Sequence, residues 1–416
     1  MSFMSIKSTK MKNPTYYWFI VSGIMAALVN SFYGPFTVKY LERLGGNEFH
    51  ITMLSSLPGI IGVVVSLPGA LWIIVNIKKN LKTVTVDLIL ISRLFVVTLI
   101  PLIWITPKWA PLFCVILIAL KSIPESMSLT AFQGLTGDLF DVEQRSTAIS
   151  QRSRFSVPAS LAVTLLSGLV LRFIPGNDTA RLTIYQIFFI FAAIFGIFEA
   201  LFLGKMKHVE TVERRDLTPS REILRQVLEN KPYKKYVLSS LVFYFTWQMG
   251  WPIFNIYQVI TLKADELWLS AIVVVSSIGM FIGYRFWNYI IRKYGNGKTA
   301  VWVTLGMSLN PVLMVFFPNL YWITGINLLI GFFTAGTMTV LLNALLEVTP
   351  QLYRVVYVGT YNTLVNASLA ISPFVSFAIL KWTGMIPALL IVFACRLAGC
   401  LVFWFYDRSQ KEIMRS

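Results

Sequence analysis

The chain has 416 residues, 56% hydrophobic and only 13% charged, with a mean hydropathy of +0.68. A soluble or disordered protein of this size needs polar surface that this composition does not supply, so both classes are excluded. The net charge of +17 would point to nucleic acid in a soluble chain. Here the basic residues sit in short loops beside long apolar stretches, which argues for lipid headgroups instead.

Twelve stretches are long enough to cross a bilayer, whose core takes about 20 helical residues and admits only helices or closed barrels. Spans 1 to 6 are predicted over 16–40, 51–76, 83–105, 109–137, 155–174 and 181–204. The first stretch is too long for a signal h-region and lacks a small-residue cleavage site, so it is read as span 1. Spans 7 to 12 are predicted over 235–262, 268–292, 298–317, 319–347, 355–380 and 385–406. The expected organisation is an N-terminal six-helix bundle over 1–204, a cytoplasmic linker over 205–234 and a C-terminal six-helix bundle over 235–416. In the linker, Thr218 is a candidate N-cap with Pro219 at the first helical position. Ile223, Leu224, Val227 and Leu228 form an apolar edge, the pattern of an amphipathic helix on the membrane face that straps the halves together.

An even span count puts both termini on one side. With the N-terminus inside, the inside segments hold 25 Lys/Arg and the outside segments 7. Lys7, Lys78, Lys79 and Arg145 are inside; Arg43, Lys108 and Lys381 are outside. This bias predicts cytoplasmic termini, in a bacterial cell membrane.

Charges at mid-depth are costly and mark function. They are Arg93 in span 3, Lys121 and Glu125 in span 4, and Arg396 in span 12, with Arg285 in the cytoplasmic half of span 8. Asp87, Asp138, Glu199 and Glu347 are read as lying near cytoplasmic ends. Lys121 and Glu125 share a helix face at i,i+4, either as a structural ion pair or as a titratable pair. The mid-depth balance of four cations to one anion suggests an anionic group on the substrate. Span 7 reads FYFTWQMGWPIFNIYQVI, and Tyr244, Gln248, Trp251 and Asn255 recur on one face. That stripe is either a helix–helix contact or a cavity wall that stacks on an organic substrate. Gly250 and Pro252 are expected to break the helix there.

Cys114, Cys395 and Cys400 lack metal spacing and are read as packed thiols. No catalytic, metal-binding or phosphate-cradling motif is present, so no enzyme, metal or cofactor is expected.

The two halves align. NSFYGPFTVKYLERLGGNE of span 1 matches QMGWPIFNIYQVITLKADE of span 7, pairing Asn30 with Gln248 and Tyr33 with Trp251. Asp138 falls near Glu347 and Arg145 near Arg354 at the junctions of spans 4–5 and 10–11. Weakly similar halves in one orientation indicate parallel repeats. GLTGDLFDVEQRSTAIS has the acidic residue, spacer, Arg and small residues of a known cytoplasmic junction. RFWNYIIRKYGNGKTAVW ends in basic-aromatic-Gly, and PGALWIIVNIKKNLK is a degraded copy that keeps Gly69 and its lysines. With these motifs the whole chain resembles the major facilitator superfamily.

The resemblance implies two pseudo-symmetric bundles with spans 1, 4, 7 and 10 lining a path. It implies secondary active transport of a small organic, amphipathic or anionic substrate by alternating access, in a monomer surrounded by membrane lipid. Lys121 stands where many members carry an Arg linked to proton coupling, which makes Glu125 the titratable partner. Asn30, Tyr33, Lys121, Tyr244, Gln248, Trp251 and Asn255 become substrate candidates. Arg93, Asp138, Arg145, Arg285, Glu347, Arg354 and Arg396 become structural or gating charges. Efflux is the direction implied. Uptake of an organic anion, or flipping of an anionic lipid or lipid-linked precursor, are the alternatives.

Overall fold

The computed structural model describes residues 14–75, 81–140, 142–207, 220–350 and 354–413. Lys7, Lys78, Lys79, Thr218 and Pro219 lie outside these residues, as do the side chains of Asp138, Arg145, Ile223, Leu224 and Arg354. The helices are α1 (Pro14–Tyr33), α2 (Thr37–Arg43), α3 (Glu48–Val75), α4 (Leu81–Leu94), α5 (Ala110–Leu139), α6 (Val142–Phe173) and α7 (Asp178–Gly204). They continue as α8 (Ser220–Glu229), α9 (Lys231–Ile256), α10 (Glu266–Ser308), α11 (Asn310–Phe316), α12 (Leu320–Val348), α13 (Arg354–Thr383) and α14 (Met385–Ile413).

Among the described residues, 10 helical units are long and apolar enough to cross a membrane. One of them, 266–316, is 51 residues long. At about 1.5 Å per residue it is more than twice the depth of a bilayer core of about 30 Å, so it makes two crossings. They meet at Gly295, whose φ of 80° and ψ of 168° interrupt α10. Residues with a Cβ rarely adopt that φ. The remaining crossing is α9, whose Gln248, Pro252 and Asn255 dilute its hydropathy. Among the described residues the protein is thus all-α, with twelve crossings.

The chain forms two compact units, 1–46 with 68–215, and 47–67 with 216–416. In the first, α1 packs on α6 and α7, and α4 packs on α5 and α7. Phe19, Leu135, Ala148 and Leu203 form its core. Arg43 and Arg181 both grip Asp178, at 2.7 and 2.8 Å, and so clip the end of α2 to the start of α7. Between α4 and α5 the chain changes to a ten-residue 3₁₀ helix, Phe95–Trp104, which contains Pro101.

In the second unit α10 packs along α12, and α9 packs on α13 and α14. Residues 48–66 of α3 lie on α13. There Ser56 Oγ donates to the Ala370 carbonyl (2.9 Å), Asn366 Nδ2 donates to Ser66 Oγ (3.1 Å), and Lys381 pairs with Glu48 (2.8 Å). The linker helix α8 is held to this unit by buried Val227, while Tyr357 Oη donates to the Gln226 carbonyl at 3.3 Å. The expected break at Gly250 and Pro252 does not occur. Helix α9 runs through both residues to Ile256 and ends in a π-helical turn, Tyr257–Thr261. One missing proline amide leaves a single carbonyl, that of Gln248, without its helical donor, and the packing of α9 outweighs that loss.

Candidate functional site

The first unit holds a connected set of charges on α4, α5 and α7. Arg93 Nε donates to Glu199 Oε2 at 2.8 Å, and its Nη2 donates to Oε1 at 3.3 Å. This two-point grip is the strong form of the arginine–carboxylate pair. It is possible because Gly196, one turn before Glu199, has no side chain where the stem of Arg93 crosses α7. The third guanidinium nitrogen, Nη1, makes no hydrogen bond and faces Glu125 Oε1 at 3.6 Å. Lys121 Nζ donates to Glu125 Oε2 at 2.7 Å, as their i,i+4 spacing requires. Above Lys121 lies the ring of Tyr33, 5.1 Å from Nζ to centroid, and Tyr33 Oη donates to Asn30 Oδ1 at 3.3 Å.

These groups differ in access. The side chains of Arg93, Lys121 and Glu199 are 11%, 6% and 3% exposed, whereas Glu125 is 43% exposed. A carboxylate at this depth would not face lipid, so its open side is the part of the network that water, a proton or a solute can reach. Glu199, placed by the sequence near a cytoplasmic end where it can be solvated or paired, is buried and paired with Arg93, so this network holds two cations and two anions. Arg152 on α6 stacks on Phe19 and Phe132, 4.9 and 4.3 Å from the ring centroids.

In the second unit Arg396 is fully buried. It donates to three carbonyls: Nη2 to Trp247 (2.6 Å), Nη1 to Met307 (3.0 Å) and Nε to Thr246 (3.4 Å). The Met307 carbonyl is available because its helical donor would be the amide of residue 311, which is proline. Arg396 therefore closes a gap that Pro311 opens between α10 and α11. Its three hydrogen bonds to backbone carbonyls make Arg396 a structural cation here.

The α9 stripe divides. Gln248 is buried and engaged with α13, accepting from Ser368 Oγ at 2.8 Å and donating to the Val365 carbonyl at 3.5 Å. Tyr244 packs on Trp247 and Tyr361. Trp251 stands edge-on to Trp247 and is 37% exposed, and Asn255 is half-buried. Arg285 is exposed on α10, and Glu347 accepts from Asn296 Nδ2 at 2.6 Å. The structure thus brings Asn30, Tyr33, Lys121, Glu125 and Arg93 together, and separately groups Tyr244, Trp247 and Trp251. Among the described residues no cluster of three or more His, Cys, Asp or Glu could hold a metal ion.

The family model described as MFS/sugar transport protein matches residues 88–389. The chain belongs to this family. It is a membrane transporter of the major facilitator type, and the solved structures it is similar to share its fold. The nucleoside transporter NupG has a TM-score of 0.69 at 12% identity, covering 94% of this chain and 98% of that one. A bacterial homologue of the human lysosomal transporter Spinster, inward-facing and unoccupied, has a TM-score of 0.68 at 12% identity, covering 95% and 98%. A POT family transporter in complex with a thioalcohol-conjugated peptide has a TM-score of 0.69 at 11% identity, covering 95% and 96%. No curated protein matches the chain. Among Arg93, Lys121, Glu125 and Glu199, Glu125 alone is open, at 43% exposed beside Lys121 and Arg93.

Proposed function

We propose that this protein is a secondary active transporter that moves a small organic substrate, amphipathic or anionic, by alternating access and couples it to protons at Glu125. The observation that supports this reading is the open face of Glu125 beside two mostly buried cations. A proton added to Glu125 removes the negative charge that holds Lys121. Arg93 keeps Glu199 as its partner, so only Lys121 is released. The freed ammonium then favours a carboxylate or phosphate on the substrate, and Tyr33 offers a ring beside it. A proton and an anion thus bind in support of one another, a linkage that shifts the balance between transport states.

Efflux, the direction that the span 4 resemblance implies, would instead require proton and substrate to compete at Lys121 and Glu125. Uptake of an organic anion together with a proton is the second reading, favoured by this mutual support at Lys121 and Glu125. A ligand screen tests the substrate class, since a binder raises apparent stability by mass action. Organic carboxylates or phosphates are expected to raise the melting temperature of the wild type and to do so less in Lys121→Ala. Stabilisation by organic cations alone would contradict the assignment of Lys121.

A further inference from the structure

The 3₁₀ segment between α4 and α5 has a consequence on the surface of the first unit. Runs of 3₁₀ longer than three or four residues are uncommon, and residues at i and i+3 eclipse one another in them. Here the segment spans ten residues, Phe95–Trp104. The i,i+3 pairs Val97 with Ile100 and Thr98 with Pro101 fall in two eclipsed rows that line one face, with Leu102 and Ile105 at its end. Phe113 and Leu117, one turn apart on α5, face these rows. An eclipsed row does not mesh with the i,i+4 ridge of an α-helix, and a groove of about 550 Å³ remains between them. The segment is fixed from behind: Tyr40 Oη donates to the Leu99 carbonyl at 2.8 Å, and Gln186 Nε2 donates to the Ile100 carbonyl at 2.9 Å.

The groove is apolar apart from the Thr98 hydroxyl, which donates to the Phe95 carbonyl at 2.6 Å. Phe113, Ile116 and Leu120 are exposed on the same side of α5. At about 100° per residue, Glu125 lies roughly 120° around the helix from Phe113. The groove therefore belongs to a lipid-facing side, apart from the charged network. From residue 97 to residue 105 the segment rises about 16 Å at ~2 Å per residue, close to half of a ~30 Å bilayer core. Trp104 and Trp109, close in sequence to the lining residue Ile105, are both exposed. There Lys108 lies with Nζ 5.6 Å from the Trp109 ring centroid. Tryptophan and lysine are the residues that sit at headgroup level.

We propose that this groove is a phospholipid site: it seats one acyl chain from the leaflet beside loop 105–109, and Lys108 meets an anionic headgroup. The length, the apolar rows, the aromatic rim and the single cation all match that ligand. In the full-length purified protein, native mass spectrometry should find one phosphatidylglycerol retained through delipidation. Its retention should exceed that of phosphatidylcholine about fivefold, the factor that corresponds to ~1 kcal/mol for one lysine near an anionic surface. Lys108→Glu should remove the preference but keep the lipid. The double variant Val97→Phe/Ile105→Phe fills the groove and should lose the lipid. A second measurement needs no variant. Phosphatidylglycerol with a photoreactive acyl chain should label residues 97–105 or 113–117 of the wild type. Even labelling across all crossings would overturn the proposal, and so would equal lipid retention in the filled variant or exchange for detergent as an adventitious additive only.

Discussion

Arg93 holds Glu199 through Nε at 2.8 Å and Nη2 at 3.3 Å, while its Nη1 stands 3.6 Å from Glu125. One guanidinium thus joins a buried carboxylate to an open one. The two contacts have different consequences when broken, because water can replace the partner of Glu125 but not that of Glu199.

Arg93→Ala should destabilise the protein strongly. It leaves the Glu199 charge, 3% exposed, without a partner, a change that costs about 3–5 kcal/mol for buried pairs. Denaturation in detergent measures it. Glu199→Gln in the Arg93→Ala background should recover much of the loss, because the stranded charge is then gone.

Lys121→Ala should leave folding nearly intact and abolish transport. Its partner Glu125 is 43% exposed and can be solvated, so the expected cost is within about 1 kcal/mol, as for accessible ion pairs. Thermal melts paired with transport assays separate the two roles. A low melt for Lys121→Ala, together with a stable but inactive Arg93→Ala, would reverse them.

The Lys121–Glu125 contact was legible from spacing alone, because i,i+4 residues meet on any helix. The spans were legible from apolar length, and the span 8–9 junction from YGNG, where Gly295 turns. The Arg93–Glu199 pair was not, since its members are 106 residues apart and only tertiary packing brings them together. Sequence position near a cytoplasmic end also concealed how deeply Glu199 is buried. The 3₁₀ stretch is uniformly apolar, so it carries no periodicity to separate it from an α-helix. Gly250 and Pro252 suggested a break because propensity was weighed without the packing that holds α9 straight. The link between Pro311 and Arg396 needs the fold to place residue 396 beside residue 307.

That link gives a third expectation. Arg396→Ala should lower stability by leaving the Met307 carbonyl unsatisfied, at about 1–3 kcal/mol for a buried group. Pro311→Ala restores an amide that can bond the Met307 carbonyl. In that background Arg396→Ala should cost less, with a coupling of about 0.5–3 kcal/mol in a double-mutant cycle. Strict additivity would show that Arg396 does not act on the proline gap.

Tyr33 should act through its ring. Tyr33→Phe keeps the face that lies 5.1 Å from Lys121 Nζ and should preserve stability. Tyr33→Leu should cost about 0.5–1 kcal/mol, the range for a cation over an accessible aromatic face, and raise the KM for transport. Equal behaviour of the two variants would assign the role to the hydroxyl bond with Asn30 instead.

Proton coupling at Glu125 is tested most directly by substrate flux in proteoliposomes with and without an imposed pH gradient, for the wild type and for Glu125→Gln. The wild type is expected to respond to the gradient. Glu125→Gln is expected to lose that response while still binding substrate, because a neutral side chain at 125 leaves Lys121 permanently released. Unchanged flux and an unchanged pH response in Glu125→Gln would contradict the coupling role of Glu125.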